Sequence, residues 1–407
     1  MQHISTMVFI TLSVNLMLLT YLAAFYYLKT ACSLRKKHIS YVSSTCQLPF
    51  VTIAIPSYNE GEEVVYAVER ALSLDYPNFE VILVDDSDEN ASLKALERLR
   101  AMYANNPRLK VIHRSFREGF KGGALNEALK HADPRSKLLV VFDVDFRYQR
   151  SFLKEAVLEL LAEKAHALQG YQCHVAEKSF LSAWYTSSII AADYRVWLYA
   201  SEVLNGFKWV TGSAFVIDIE KLREVGLFTG ALTEDVDISC RMALKGFKIS
   251  YSDNVVAYGK PPLNFASLIK QQMRWIEGTV RELRRHMLDL LLTNRLSFFQ
   301  KLDVIAYFLQ YASYLLIASC IVLLLAYHTL HGITLSILSL LSILALAPLA
   351  RVFVGLVKDY GFSIGCIRGM LSYVVIACLL IPIGAYSVLR GLFAKKWQWY
   401  RTVKSIT

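Results

Sequence analysis

The sequence predicts an α/β protein, a mostly parallel sheet between helices, flanked by transmembrane helices. Three observations predict it. Residues 48 to 260 alternate short β-rich runs with helical patterns, the order that builds parallel strands covered by helices. Hydrophobic residues make up 55% of the chain and charged residues 19%, and the apolar excess gathers at the two ends. The middle therefore reads as soluble and the flanks as membrane. The third observation is the length of the N-terminal apolar run.

That run, "MVFITLSVNLMLLTYLAAFYYLK" (7–29), is apolar over about the 20 positions needed to cross a bilayer. A cleaved signal peptide has a shorter apolar core, a basic residue before it and a small-residue cleavage site after it. None of these is present, so residues 1–30 are expected to remain as an anchor. The basic cluster "LRKKH" (34–38) follows, and the positive-inside rule then expects a multi-pass cell-membrane protein with its soluble domain, 48–262, in the cytoplasm.

Within that domain "FVTIAIPSYN" (50–59) reads as a buried strand ending in turn residues. "EGEEVVYAVERALSLD" (60–75) has helical periodicity and an acidic first turn. A strand is expected in "FEVILVDDSDEN" (79–90), a helix over 91–104 and a strand in "LKVIHRS" (109–115). This is a nucleotide-binding type of arrangement, in which ligands sit beyond the carboxyl ends of the strands. "REGFKGGALNEALKHA" (117–132) opens an amphipathic helix on Lys121 and a glycine pair, which can set backbone N–H groups and a cation against a phosphate; a plain glycine turn is equally compatible. "LLVVFDVDFR" (138–147) is an apolar strand carrying Asp143 and Asp145, on one face if the strand persists. Two carboxylates that close need a proton or a cation between them, and hard oxygen donors suit Mg²⁺ or Mn²⁺. Solvated loop aspartates are the alternative.

"WVTGSAFVID" (209–218) reads as a further strand, with Gly212 and Ser213 permitting close ligand approach. "TEDVDISCRMALKGFK" (233–248) puts Glu234, Asp235 and Asp237 at a helix start, where the dipole alone would favour them. Interfacial helices are expected over 263–302, including "LIKQQMRWIEG" (268–278); snorkelling and headgroup anchoring account for Arg274 and Trp275 but not for the glutamines. Transmembrane helices over 303–394 divide into candidate spans at about 304–327, 333–357 and 370–393. Three crossings there would put the basic, aromatic tail, 395–407, on the outer face, so one candidate is expected to be re-entrant, split, or laid in the interface.

The net charge of +10 allows nucleic acid, an anionic leaflet or an anionic substrate as partner; the excess lies beside the spans and no nucleic-acid motif accompanies it, which favours the lipid bilayer. The seven cysteines are scattered without metal or redox spacing, which suits a reducing cytoplasm.

Asp85/Asp86, Asp143-x-Asp145, Thr233-Glu234-Asp235 and Gln271-Gln272-Met273-Arg274-Trp275, in that order, resemble the D, D-x-D, T-E-D, Q-(Q/R)-x-R-W signature of family 2 glycosyltransferases. Within that family the chain resembles the membrane-embedded branch of cellulose synthase, hyaluronan synthase and the cellulose-synthase-like mannan synthases. The likeness covers residues 48 to 280 and implies a GT-A fold, a nucleotide-sugar donor, a divalent cation (Mg²⁺ or Mn²⁺) and inversion at the anomeric carbon. Carried over by position, Asp85 or Asp86 would contact the nucleoside, Lys121 and Gly122-Gly123 would lie near the diphosphate, and Asp143 would face the donor with Asp145 on the metal. Asp235 would be the general base. Gln271 and Arg274 would approach the diphosphate, Trp275 would stack on the acceptor sugar, and Gly212-Ser213 and Glu234 would border the acceptor. One departure is Lys260, in "AYGKPPLNF" (257–265), where family members often carry an acidic residue. The product implied is a growing β-linked polysaccharide, with UDP-glucose as default donor and GDP-mannose or UDP-N-acetylglucosamine open. Transfer of one or a few sugars to a lipid acceptor is the alternative, and no partner subunit can be named.

Overall fold

The computed structural model describes residues 2–36, 47–174, 176, 180–262, 264–331 and 335–396. The expected tail lies outside the described residues from 397 on, as do Lys37 and His38 of the basic cluster. Eight strands form one sheet in the order β3-β2-β1-β4-β7-β6-β8-β5: β1 (Phe50–Ser57), β2 (Phe79–Asp85), β3 (Leu109–His113), β4 (Ser136–Val141), β5 (Arg147–Tyr148), β6 (Ala167–His174), β7 (Phe215–Asp218) and β8 (Ile249–Gly259). The half from β3 to β4 is parallel throughout. β7 runs antiparallel to both β4 and β6 and so reverses the sheet at its centre, while β6 and β8 are again parallel.

β2 shows why the sheet is covered on both faces. All seven of its residues are buried. Val81 and Leu83 enter a core with Val64, Val65 and Val68 of α2 (Glu63–Leu72) and Leu96 and Leu99 of α3 (Asn90–Met102). Their neighbours Ile82 and Val84 enter the opposite core, with Leu125 of α4 (Phe120–Lys130) and Ile238 and Met242 of α9 (Glu234–Lys245). The period of two feeds two helical layers from one apolar run.

Two strand expectations are corrected. β4 stops at Val141, the last residue paired with either Ala54 or Phe215, so Asp143 and Asp145 stand in the turn after the strand and not on one strand face. Of the 209–218 run only Phe215–Asp218 is strand, because Gly212 (φ 51) and Ala214 (φ 57) take left-handed conformations that break the ladder. Both departures occur at the carboxyl end of β4, where the chain is turned outward.

The remaining helices are α1 (Gln2–Ser33), α5 (Phe152–Ala162), α6 (Leu181–Ala191) continued by a π-helical segment (Ala192–Leu198), α7 (Tyr199–Val203), α8 (Ile219–Glu224), α10 (Phe265–Leu292), α11 (Phe298–His331), α12 (Leu335–Tyr360) and α13 (Ile364–Phe393). Among the described residues four helical stretches are long and apolar enough to cross a membrane: Thr6–Ser33, Phe298–His328, Ser339–Tyr360 and Ile364–Phe393. α1 and α11 are locked where they meet the soluble domain. Lys29 Nζ donates to Asp303 Oδ2 and to Ser201 Oγ, each at 2.6 Å, and the Phe207 N–H donates to the same Asp303 oxygen. Both charged side chains are fully buried. Removing one member strands a buried charge, so Lys29→Met is expected to cost about 3–5 kcal/mol. Thermal unfolding in detergent checks this, with the double variant Lys29→Met/Asp303→Leu recovering most of the loss.

Candidate active site

A cavity of about 290 Å³ opens at the carboxyl ends of β1 and β4, between the α/β domain, α10 and α11. Its charged wall comes from four places in the sequence. Lys121 enters from the first turn of α4, whose helix start follows Gly119 in a left-handed conformation (φ 67). Asp143 and Asp145 come from the turn after β4, Glu234 and Asp235 from the first turn of α9, and Gln271, Arg274 and Trp275 from α10.

Lys121 sits at the centre. Its Nζ donates to Asp143 Oδ1 at 2.6 Å and to the Gly212 carbonyl at 2.7 Å, and lies 3.7 Å from Glu234 Oε1. Burial works against the ammonium, but Asp143, Glu234 and Asp235 outweigh it and hold its pKa above the ordinary value. Burial pushes Glu234 up to about 7, Lys121 opposing and Asp235 adding to the rise. Asp235 is raised by burial as well, opposed by Lys121 and by the Val236 N–H, which donates to its Oδ1 at 2.9 Å. These two adjacent carboxyls form one tightly coupled pair. Arg274 stands in the field of Glu234, Asp143, Asp235 and Asp145. Asp143, Asp145, Glu234 and Asp235 outnumber the cations Lys121 and Arg274 by two, and the Asp143/Asp145 donor set is hard oxygen. That chemistry fits a Mg²⁺ or Mn²⁺ ion.

The third carboxylate of the T-E-D helix faces away from the cavity. Asp237 is fully buried and accepts from Arg241, Thr229 and His286. Burial would raise it, but the bonds from His286, Arg241 and Thr229 prevail and hold it well below the usual carboxylate range. Its ligand atoms lie within 4.8 Å of those of Glu282 and His286, but Arg241 and His286 already satisfy it. Asp237 instead ties α9 to α10, as does Gly278 of α10, where a Cβ would come within 2.4 Å of Thr233 Cγ2. The T-E-D and Q-Q-x-R-W segments are thereby fixed against each other.

Asp86, Lys121, Asp143, Asp145, Gly212, Glu234, Asp235, Gln271, Arg274 and Trp275 all line this one cavity. Three expected residues are placed behind its wall. Asp85 bonds Ser87 and His113. Ser213 accepts the Asp143 N–H at 2.8 Å through Oγ, which orients the D-x-D turn from behind. Gly122 packs against the 228–229 backbone, where a Cβ would lie 2.1 Å from the Thr229 carbonyl oxygen. Asp86 reaches the cavity, with its oxygens held by the Arg114 guanidinium at 2.6 and 2.5 Å. Gln271 is buried, and its Oε1 has no hydrogen-bond partner among the described residues. Lys260 pairs with Glu63 at 3.0 Å, away from the cavity.

Sequence reasoning missed several lining residues. Arg117, next to the quoted glycine turn, lies with its guanidinium 3.7 Å from the Tyr58 ring centroid. Asp193 lies in the π-helical segment and is bonded by Gln310 and Arg351 of α11 and α12. Trp209 stacks on Tyr307 of α11 with centroids 3.9 Å apart. A single aspartate or tyrosine in an apolar run carries no sequence signal of this kind; the π-helix, a common mark of functional sites, is visible only in the backbone.

A GT-A sheet with a D-x-D turn, a T-E-D helix start and a Q-Q-x-R-W helix around one cavity defines a nucleotide-sugar transferase class. The chain matches the Glycosyl transferase family 2 domain over residues 52–215 and Glycosyl transferase family group 2 over residues 138–387, more than half its length. It belongs to the family 2 glycosyltransferases, in the cellulose-synthase-like branch. It is 28% identical over 268 residues to the probable glucomannan 4-beta-mannosyltransferase 14 of Arabidopsis thaliana, covering 63% of this chain and 50% of that protein. With glucomannan 4-beta-mannosyltransferase 7 of the same plant it shares 26% over 259 residues, covering 62% and 47%. The chain thus spans about half the length of the curated relatives it matches. A solved structure of the mannosyltransferase PcManGT from Pyrobaculum calidifontis, in complex with GDP-Man and Mn²⁺, superposes with a TM-score of 0.63 at 17% identity, over 95% of this chain and 100% of that one. The fold is shared.

The packing of Gly122 yields a prediction. Gly122→Ala overpacks the α4 contact and is expected to cost about 1–3 kcal/mol of stability. A lower unfolding temperature together with weaker nucleotide binding per folded molecule, as Lys121 is displaced with α4, is the expected outcome, measured by thermal shift and calorimetric titration.

Proposed function

We propose that this chain is an inverting glycosyltransferase that moves a mannosyl unit from GDP-mannose onto a hydroxyl of a growing β-linked polysaccharide at the membrane. The observation that carries the reading is the Glu234–Asp235 pair, Glu234 buried and Asp235 half-buried, facing Lys121, Arg274 and the D-x-D turn across one cavity. Asp235 takes the proton of the acceptor hydroxyl as that oxygen attacks C1 of the donor sugar, and the C1–O bond to the diphosphate breaks with its electrons leaving on the phosphate oxygen. Lys121 and Arg274 meet the charge that develops there. Gln271 lines the same wall, and its unpartnered Oε1 can accept a hydrogen bond from a sugar hydroxyl. Asp143 and Asp145 would hold the divalent ion, which neutralises phosphate charge when bound. Trp275 offers the acceptor sugar an aromatic face.

The donor choice rests on the names of the relatives and of the structural neighbour, which outweigh the UDP-glucose default of the sequence reading. The basic cluster after α1 supports a catalytic domain on the cytoplasmic side. The deciding assay incubates the protein in lipid nanodiscs with Mn²⁺ or Mg²⁺ and radiolabelled GDP-mannose, UDP-glucose or UDP-N-acetylglucosamine, then separates polymer from lipid-extractable label. Mannose label in polymer is expected; label in the lipid phase would replace the polysaccharide by a lipid acceptor.

Two variants test the base. Asp235→Asn is expected to abolish transfer and leave GDP-mannose binding intact; full activity would remove Asp235 from that role. Burial raises the Asp235 carboxyl above its ordinary range, so the rate is expected to show an acid limb at higher pH than a free aspartate would give, climbing as the base ionises. Glu234→Gln removes a like charge beside Asp235, which then ionises more readily. The acid limb of kcat/KM is therefore expected to move to lower pH, and an upward move would contradict the assignment.

A further inference from the structure

The turn that carries Asp143 and Asp145 is fixed before, within and after its length. Behind its first residue, Ser213 Oγ accepts the Asp143 N–H. In its middle, Arg70 of the last turn of α2 donates through Nη2 to the Val144 carbonyl at 2.9 Å. After it, Arg147 and Tyr148 of β5 pair with Tyr258 and Ala257 of β8, and a Cβ on Gly259 would lie 2.7 Å from the Phe146 ring. A peptide unit is rigid, so a donor on the Val144 carbonyl sets the plane between Val144 and Asp145. The direction in which the Asp145 side chain leaves the backbone is set with it.

Arg70 is itself held by a carboxylate. The same Nη2 donates to Glu63 Oε1 at 3.1 Å, and the other Glu63 oxygen accepts from Lys260 Nζ at 3.0 Å. All of these side chains are half-buried, where solvent screens an ion pair less than it would at the surface. Burial would raise the Glu63 carboxyl, but Lys260 and Arg70 prevail and hold it below its ordinary value. Lys260 follows β8 directly, in the segment that leads to α10 and its Gln271, Arg274 and Trp275. The contacts therefore close a ring: β8 to Lys260, Lys260 to Glu63, Glu63 to Arg70, Arg70 to the D-x-D turn, and the turn through β5 back to β8. Glu63, Arg70 and Lys260 all stand outside the cavity lining.

We infer that Glu63, Arg70 and Lys260 are positioning residues for the divalent ion: Arg70 sets the Asp143–Asp145 turn in its ligating shape, and Lys260, through Glu63, ties that shape to the entry of α10. This assignment rests on the reading of Asp143 and Asp145 as the holders of the ion. Hydrogen bonds behind metal ligands are worth about 10–100-fold in affinity, because they fix the ligands before the ion arrives. Arg70 keeps its charge at any working pH. Glu63 offsets that charge, so a dication in the turn does not face an unpaired cation behind it. A carboxylate at position 260 would instead oppose Glu63, like charge against like, and loosen its hold on Arg70.

Ion binding by the full chain in lipid nanodiscs tests this without turnover. Free Mn²⁺ is followed by electron paramagnetic resonance in a titration at saturating GDP, and GDP affinity without metal is measured by calorimetry. Wild type and Asp143→Asn fix the scale. Arg70→Met is expected to raise the Mn²⁺ Kd about 10-fold and leave metal-free GDP affinity unchanged, whereas a merely loosened fold would move both. Lys260→Glu leaves the turn itself intact and is expected to weaken Mn²⁺ in the same direction. The double variant Lys260→Glu/Glu63→Gln removes the repulsion, keeps an acceptor for Arg70 and is expected to recover most of the loss. An unchanged Mn²⁺ Kd in Arg70→Met and Lys260→Glu, beside a wild type that binds the ion, overturns the positioning role alone. No Mn²⁺ binding by the wild type, or binding that Asp143→Asn does not weaken, overturns it together with the metal reading.

Discussion

One half-buried ammonium organises the site. Asp143 and the adjacent Glu234 and Asp235 come from two separate parts of the chain, and three like charges in one low-dielectric wall would drive it apart. Lys121 bonds Asp143, lies beside Glu234 and holds the Gly212 carbonyl, so α4, the D-x-D turn, the 209–214 segment and α9 share one counter-ion. Burial alone would discharge the lysine, but the carboxylates keep it charged and it in turn limits how far they are raised. Four pieces of chain are pinned by this balance, which leaves Glu234 at about 7 and Asp235 raised above its ordinary range.

The position of that ammonium depends on packing behind it. α4 can bring Lys121 forward only because Gly122 lets the helix sit on the 228–229 backbone. Asp237 and Gly278 perform the corresponding task on the other wall, docking α10 onto α9 so that Gln271, Arg274 and Trp275 face the carboxylates. Residues that never touch the cavity thus set its width.

The membrane helices are part of the same construction. Asp303 of α11 holds the Phe207 N–H, and four residues on, Trp209 and Tyr307 stack in the cavity wall before the chain reaches Gly212. A displacement of α11 relative to α1 would have to break a fully buried ion pair. The positions of α1 and α11 and the geometry of the cavity wall are consequently linked through few side chains.

The alternation of strands and helices, the long apolar N-terminal helix and the order of the acidic motifs were legible in the sequence because each rests on local chemistry: apolar period, turn residues, and carboxylates where strands end. Asp143, Asp145, Glu234, Asp235, Gln271, Arg274 and Trp275 could be named from those motifs, and all line one cavity. The motif singled out Glu234 and Asp235; what the third carboxylate of that helix does was not legible, since Asp237 is turned away by Arg241 and His286, one from its own helix and one from 49 residues on. Nor were Asp193, Trp209 and Tyr307, whose place in the wall depends on helices α11 and α12 packing against a π-helical segment. Local chemistry determined the elements and the candidate motifs; only long-range packing decided which side chains share a field and where β4 stops, because those follow from contacts between parts of the chain that the sequence holds far apart.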